Sequence, residues 1–153
     1  MANHSEIKKQ LYSQCQDYVE KRIQIATEAL NSSQASANDE SKSTAGDKHD
    51  TGKAMMQIEV EQFSRQLAEA QKLKIELSRV NISNSNSTVV LGSLVETDKG
   101  FYFISISAGK LEINTKHYFA ASISSGFAQA VKGLKKGDKG HLHGSVIEIL
   151  NVW

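Results

Sequence analysis

At 153 residues the chain is one ordinary domain or two small ones, and a formal net charge of +1 with 23% charged residues argues against a dedicated nucleic-acid binder. A mean hydropathy of −0.39, with no apolar run near the roughly 20 residues of a membrane span, predicts a soluble protein without a membrane partner. The single cysteine, Cys15, precludes an intrachain disulfide and suits a reducing compartment, and Met1–Glu6 lacks the basic end and apolar run of a signal peptide, so a cytoplasmic protein is expected.

The absence of proline permits long uninterrupted helices. Ser5 is a plausible first N-cap, with Glu6 suited to the positive end of the helix. From Ile7 to Leu30 the residues Ile7, Leu11, Cys15, Tyr18, Val19, Ile23, Ile25, Ala26, Ala29 and Leu30 fall within an arc of about 160°, which predicts an amphipathic helix. Lys8 and Arg22 interrupt the arc, as long basic stems can by snorkelling. Asn31–Thr44 has almost no large apolar residue, and its Ser, Asn and Thr side chains compete for backbone hydrogen bonds. It reads as a frayed extension of the helix followed by a mobile loop.

The second pattern is cleaner. Met56, Val60, Phe63, Leu67, Ala70, Leu73, Leu77 and Val80 are spaced 4, 3, 4, 3, 3, 4 and 3, a coiled-coil seam with one slip. At about 1.5 Å per residue it rises ~36 Å. Two such helices joined by a loop most simply pair with each other, as an antiparallel coiled-coil hairpin over residues 1–81; an intermolecular coiled coil is the alternative. The stretch Gly46-Asp47-Lys48-His49-Asp50 then belongs at or near the hairpin tip, around residues 39–52. Asp47 and Asp50 are one helical turn apart, so both carboxylates can point the same way. Aspartates before and within a first turn also suit helix capping.

After a polar linker, Asn81–Thr88, the chain changes character. Val89–Val95, Phe101–Ile106, Lys110–Asn114, Lys116–Ile123 and His141–Val152 read as strands or strand pairs. Asp98-Lys99-Gly100 and Lys136-Gly137-Asp138 read as turns, and Ser124-Ser125-Gly126 opens a short helix closed by Gly133. Residues 82–153 thus form a small domain with a twisted antiparallel sheet and one short helix, and the whole chain is α+β. Tyr118, Phe119, Phe101 and Phe103 are expected in its core, and Cys15 in the hairpin. Trp153 is expected to cap the sheet or to fray. His141 and His143 share a strand face at a spacing that can bind metal, without an evident third ligand. Lys132, Lys135, Lys136 and Lys139 cluster around a turn.

Taken together, Val89-Val90-Leu91-Gly92-Ser93, the run Ala121–Gly133, Lys136-Gly137-Asp138 and Ile147-Glu148-Ile149 resemble the globular domain of bacterial Gre transcript cleavage factors, and Gly46-Asp47-Lys48-His49-Asp50 resembles the Gly-Asp-x-x-Glu tip of their coiled coil. The resemblance covers both halves in the right order. It implies an FKBP-like fold for the second domain. It further implies an accessory factor, not an enzyme, that reaches RNA polymerase through its secondary channel. Asp47 and Asp50 would be the functional pair, donated as ligands to a Mg²⁺ shared with the polymerase. Nascent RNA would be met only in that complex, and a monomer is expected, with a dimer as the alternative. The readings left open are a non-catalytic regulator of the same channel and a structural coiled-coil module that dimerises or binds an unrelated partner.

Overall fold

The computed structural model describes the backbone of residues 3–41, 46–83 and 86–153, and the side chains of 3–36, 52–83 and 86–153. Two long helices, α1 (His4–Ser41) and α2 (Gly46–Ser78), precede β1 (Leu94–Thr97), β2 (Gly100–Ser105), β3 (Gly109–Ile113), β4 (Lys116–Ser122), α3 (Gly126–Val131), β5 (Lys139–Leu142) and β6 (Ser145–Val152). Two compact units emerge. One is Val19–Lys74; the other joins Met1–Tyr18 to Ile75–Trp153. Among the described residues no helix is long and apolar enough to cross a membrane.

The unit Val19–Lys74 is helical. The α2 seam does what its spacing predicts: Met56, Val60, Phe63, Leu67 and Leu73 are half-buried and Ala70 is fully buried, while Glu59, Glu61, Arg65 and Glu69 face solvent. On α1 the inward positions are Val19, Ala26 and Ser33. The Ser33 hydroxyl reaches Glu59 at 3.5 Å, and Glu20 meets Lys74 at 3.6 Å. As the residue number falls on one helix it rises on the other, so the pair is antiparallel and intramolecular. Ile25 departs from expectation. It lies on the apolar arc yet is 55% exposed, because a single partner helix covers a narrower stripe than the arc spans. Residues 31–41 continue α1 without a break, consistent with the expected extension; the loop expected beyond them falls partly on residues 42–45, outside the described residues.

In the other unit, α1 is capped by Asn3 rather than by Ser5. The Asn3 Oδ1 accepts from the N–H groups of Ser5 (3.1 Å) and Glu6 (3.3 Å), which makes it the cap. The six strands form one sheet in the order β3-β4-β2-β1-β6-β5. All pairs are antiparallel except β2 with β4, which run parallel with Ser105 beside Ser122 at their carboxyl ends. The pattern of alternating residues leaves that exception invisible, since period two sets the face of each residue and not the direction of its neighbour. Turns at Asn114-Thr115 (φ 50° and 67°) and His143-Gly144 (φ 49° and 80°) join the β3–β4 and β5–β6 hairpins. His143 therefore sits in a turn, and the shared strand face expected for His141 and His143 does not exist. The strand expected over Val89–Val95 begins only at Leu94, because Leu91-Gly92 forms a turn in which Gly92 (φ 95°) lies against the linker.

Each face of the sheet has its own core. On one face Val95, Ile104, Ile147 and Ile149 pack with Val89, Ala128 and Val131, so that α3 closes this side. Leu94, Phe103, Ser105, Leu111, Ile113, Tyr118 and Ala120 alternate with these on the other face and are buried. Here the first turns of α1 cover the strands: the Cys15 Sγ lies 3.7 Å from the Ser105 Oγ, and the Gln14 Nε2 donates to the Glu112 carbonyl at 2.9 Å. Cys15 is thus packed against the sheet, not within the hairpin seam as expected. Lys8 is buried as well. Its stem lies along the apolar face while Nζ donates to the Trp153 carbonyl at 3.2 Å. Trp153 does not fray. It exchanges backbone hydrogen bonds of 2.9 Å with Leu94 and stacks on His4 at 3.6 Å between ring centroids.

Candidate functional site

The pair expected from the sequence, Asp47 and Asp50, belongs to the span of α2, whose bounds start at Gly46. Both side chains lie outside the described residues, as do those of Lys48 and His49. Among the described residues no three His, Cys, Asp or Glu side chains are grouped to hold a metal.

The segment with the most local design in the sheet-bearing unit is Ser122–Gln129. Ser125 is the N-cap of α3: its Oγ accepts from the Ala128 N–H at 3.1 Å and donates to the Ser122 carbonyl at 2.7 Å. The Ser122 and Ser124 hydroxyls pair at 3.1 Å, and the Gln129 Nε2 donates to the Ile123 carbonyl at 2.7 Å. Beside this segment, Tyr102 stacks on Phe127 at 3.7 Å and on Phe119 at 5.6 Å. Burial, reinforced by the charge of Asp98, pushes the Tyr102 phenol above its ordinary range. Phe119 was expected in the core. It lies on an edge of this aromatic stack and is 40% exposed, since its neighbour β3 brings only the exposed Lys110 beside it.

A cleft of about 270 Å³ opens between the last turn of α2 and the carboxyl ends of β2 and β4. Glu76, Arg79, Leu91, Ser105, Ser122, Ile123 and Ser124 line it. None of these was singled out from sequence for chemistry. Glu76 and Arg79 flank Leu77 in a heptad pattern that explains them as solvent-facing charges, and the parallel pairing that brings Ser105 beside Ser122 has no local signal.

The remaining candidates are structural. Cys15 is fully buried, and burial raises its thiol above the ordinary range despite the opposing Ser105 hydrogen bond, so it is a poor nucleophile. Lys132, Lys135, Lys136 and Lys139 are exposed around a turn that is held by the Lys135 N–H donating to the Asp138 Oδ2 at 3.0 Å.

No family model matches the chain, and no curated protein matches it. Among solved structures, a chain described as that of the transcription factor Gfh1 aligns with 97% of this chain and 92% of its own length, at 16% identity and a TM-score of 0.33.

Proposed function

We propose that this chain is an accessory factor of RNA polymerase of the Gre type, which carries its helical hairpin into the secondary channel and presents Asp47 and Asp50 there. The observation that supports the reading most is the order of parts around the quoted motifs. An antiparallel intramolecular hairpin, with α2 starting at Gly46-Asp47, is followed by a sheet whose short helix is opened by Ser125. The α2 seam is used within the chain, which supports a monomer.

The donor set suits Mg²⁺: two hard carboxylates one turn apart, for an ion that keeps several waters and commonly takes only one or two protein carboxylates. Asp47 and Asp50 would hold it jointly with the polymerase. When bound, such an ion supplies charge stabilisation for phosphodiester hydrolysis. The chain's own part is to bring the two carboxylates to that place and orient them there; by itself it has no active site.

The experiment is a backtracked elongation complex of the cognate polymerase. Added protein releases short 3′ RNA fragments, and Asp47→Ala and Asp50→Ala abolish release while polymerase binding persists. Polymerase binding without any release by the wild type favours a second reading, a non-catalytic regulator of the same channel. That reading draws on two sequence differences: Asp50 stands where the Gre motif has glutamate, and Thr51-Gly52-Lys53-Ala54 replaces Asn-Ala-Glu-Tyr. Failure to bind polymerase, with a helix-dependent dimer in sedimentation, removes both readings.

A further inference from the structure

We propose that the cleft between α2 and the ends of β2 and β4 binds a carboxylate that carries an apolar side chain and an adjacent N–H donor. That chemistry is shared by a free apolar α-amino acid and by the last residue of a peptide. The volume of about 270 Å³ lies just under the range of drug-sized pockets and suits one such residue.

The charges argue for a ligand of two polarities. Glu76 lies in the last turn of α2 and Arg79 in the turn just beyond its end, where the Arg79 N–H donates to the Glu76 carbonyl at 3.2 Å, so two opposite charges stand three residues apart. Both line the cleft, and among the described residues neither side chain has an ion-pair or hydrogen-bond partner. A bound group of inverse polarity completes both at once. The Arg79 guanidinium offers a planar fork of donors that matches a carboxylate in two parallel hydrogen bonds. Of the Ser122 and Ser124 hydroxyls, which pair with each other at 3.1 Å, one spends its O–H on that bond and the other keeps its O–H free to donate to a carboxylate. Glu76 accepts from an ammonium or amide N–H, and its charge opposes a phosphate dianion. Leu91 and Ile123, both half-buried, supply the apolar wall. Ser105 is the floor: it is buried and its hydroxyl is committed to the Cys15 thiol, so it contributes shape and no binding. The Ser122–Ser125 loop that forms one lip is held by its own hydrogen bonds, so the site is formed before a ligand arrives.

This proposal does not rest on the polymerase reading, and its test involves no polymerase. The full chain, labelled with ¹⁵N, is titrated with three probes: free leucine, the tripeptide Ala-Ala-Leu, and the same tripeptide with a C-terminal amide. Inorganic phosphate is the control. Saturable shifts at the amides of Arg79, Leu91, Ile123 and Ser124 are expected with leucine or with the free tripeptide, and the tighter of the two identifies the source. Amidation is expected to weaken the tripeptide by about tenfold or more, and Arg79→Met to weaken both acids by as much, the usual scale for one charged hydrogen-bonded contact. Arg79→Lys restores part of the loss. Glu76→Gln weakens free leucine more than the tripeptide, because only leucine carries its ammonium beside the bound carboxylate, whereas the tripeptide presents an amide N–H there and its ammonium two residues away. Arg79 is exposed, and unchanged helical circular dichroism certifies the fold of its variants. Three outcomes overturn the proposal: no saturable shift at the cleft with either acid, equal binding of the amide, or phosphate binding tighter than both.

Discussion

The two compact units are stabilised in different ways. In Val19–Lys74 the apolar seam is one residue wide, and most of its large side chains stay half-buried; the fully buried positions of α1 and α2 there are Val19, Ala26, Ser33 and Ala70. In the sheet-bearing unit, both faces of one sheet are covered, and Phe103, Leu94, Ile104, Ile106 and Ile149 are almost wholly removed from water. Fully burying a side chain of that size contributes about 1.5–3 kcal/mol, so the sheet unit carries the larger share of the folding free energy. A helix pair that is long and thin gains less per residue and opens more easily. The lesson is that apolar periodicity measures which side of an element faces inward, and not how much is there to cover it.

Truncation on each side of the comparison has the largest expected effect. Phe103→Ala leaves a cavity in a two-sided core and is expected to cost about 3–5 kcal/mol in urea denaturation, whereas Phe63→Ala, at a half-buried seam position, is expected to cost about half as much or less. Equal losses would show the hairpin to be as tightly packed as the sheet. Next is Gly92→Ala. A Cβ there would clash with the Asn81 carbonyl oxygen, on a residue with φ 95°. A non-glycine residue held at such a φ costs on the order of 1–3 kcal/mol before the clash is counted, so a fall of the thermal midpoint by several degrees is expected. Ser125→Ala removes the α3 cap and is expected to cost about 1 kcal/mol, with amide exchange rising first at Ala128.

Smaller is the effect of pH through His4. Burial against Trp153 lowers the imidazole below its ordinary value, more than Glu96 raises it, and Lys116 lowers it further. The unfolded chain then takes up the proton first. Stability is full above pH 6.5, the unfolded value, and falls as the pH drops from there to the lowered folded value. His4→Gln flattens that slope, which denaturation at pH 7.5 and pH 5.5 would reveal. The least effect is expected from Lys74→Ala, below about 0.5 kcal/mol, since its pairing with Glu20 is solvated on both sides.

How much was legible follows from what each signal encodes. The α2 seam was readable residue by residue because a heptad repeats often enough to outweigh any single exception. The Ser125 cap and the β3, β4 and β6 strands were readable from local turn chemistry and alternation. The parallel β2–β4 pair, the burial of Lys8 and the seating of Cys15 on Ser105 were not, because each depends on a partner 17 to 145 residues away. Of the candidate sites, Asp47 and Asp50 came from motif likeness. The cleft had no motif, being assembled from four separate stretches of chain, each of which is ordinary alone.

The docking of the α1 root carries a consequence for biosynthesis. Cys15 meets a residue 90 positions later, and Lys8 one 145 positions later. On the ribosome, the start of α1 emerges long before the strands it covers. Its apolar side must wait, with only α2 as an interim companion, until the final strand is delivered. The hairpin is therefore expected to assemble early, by neighbouring contacts, and the two-sided core to close last, at the slower pace of distant ones.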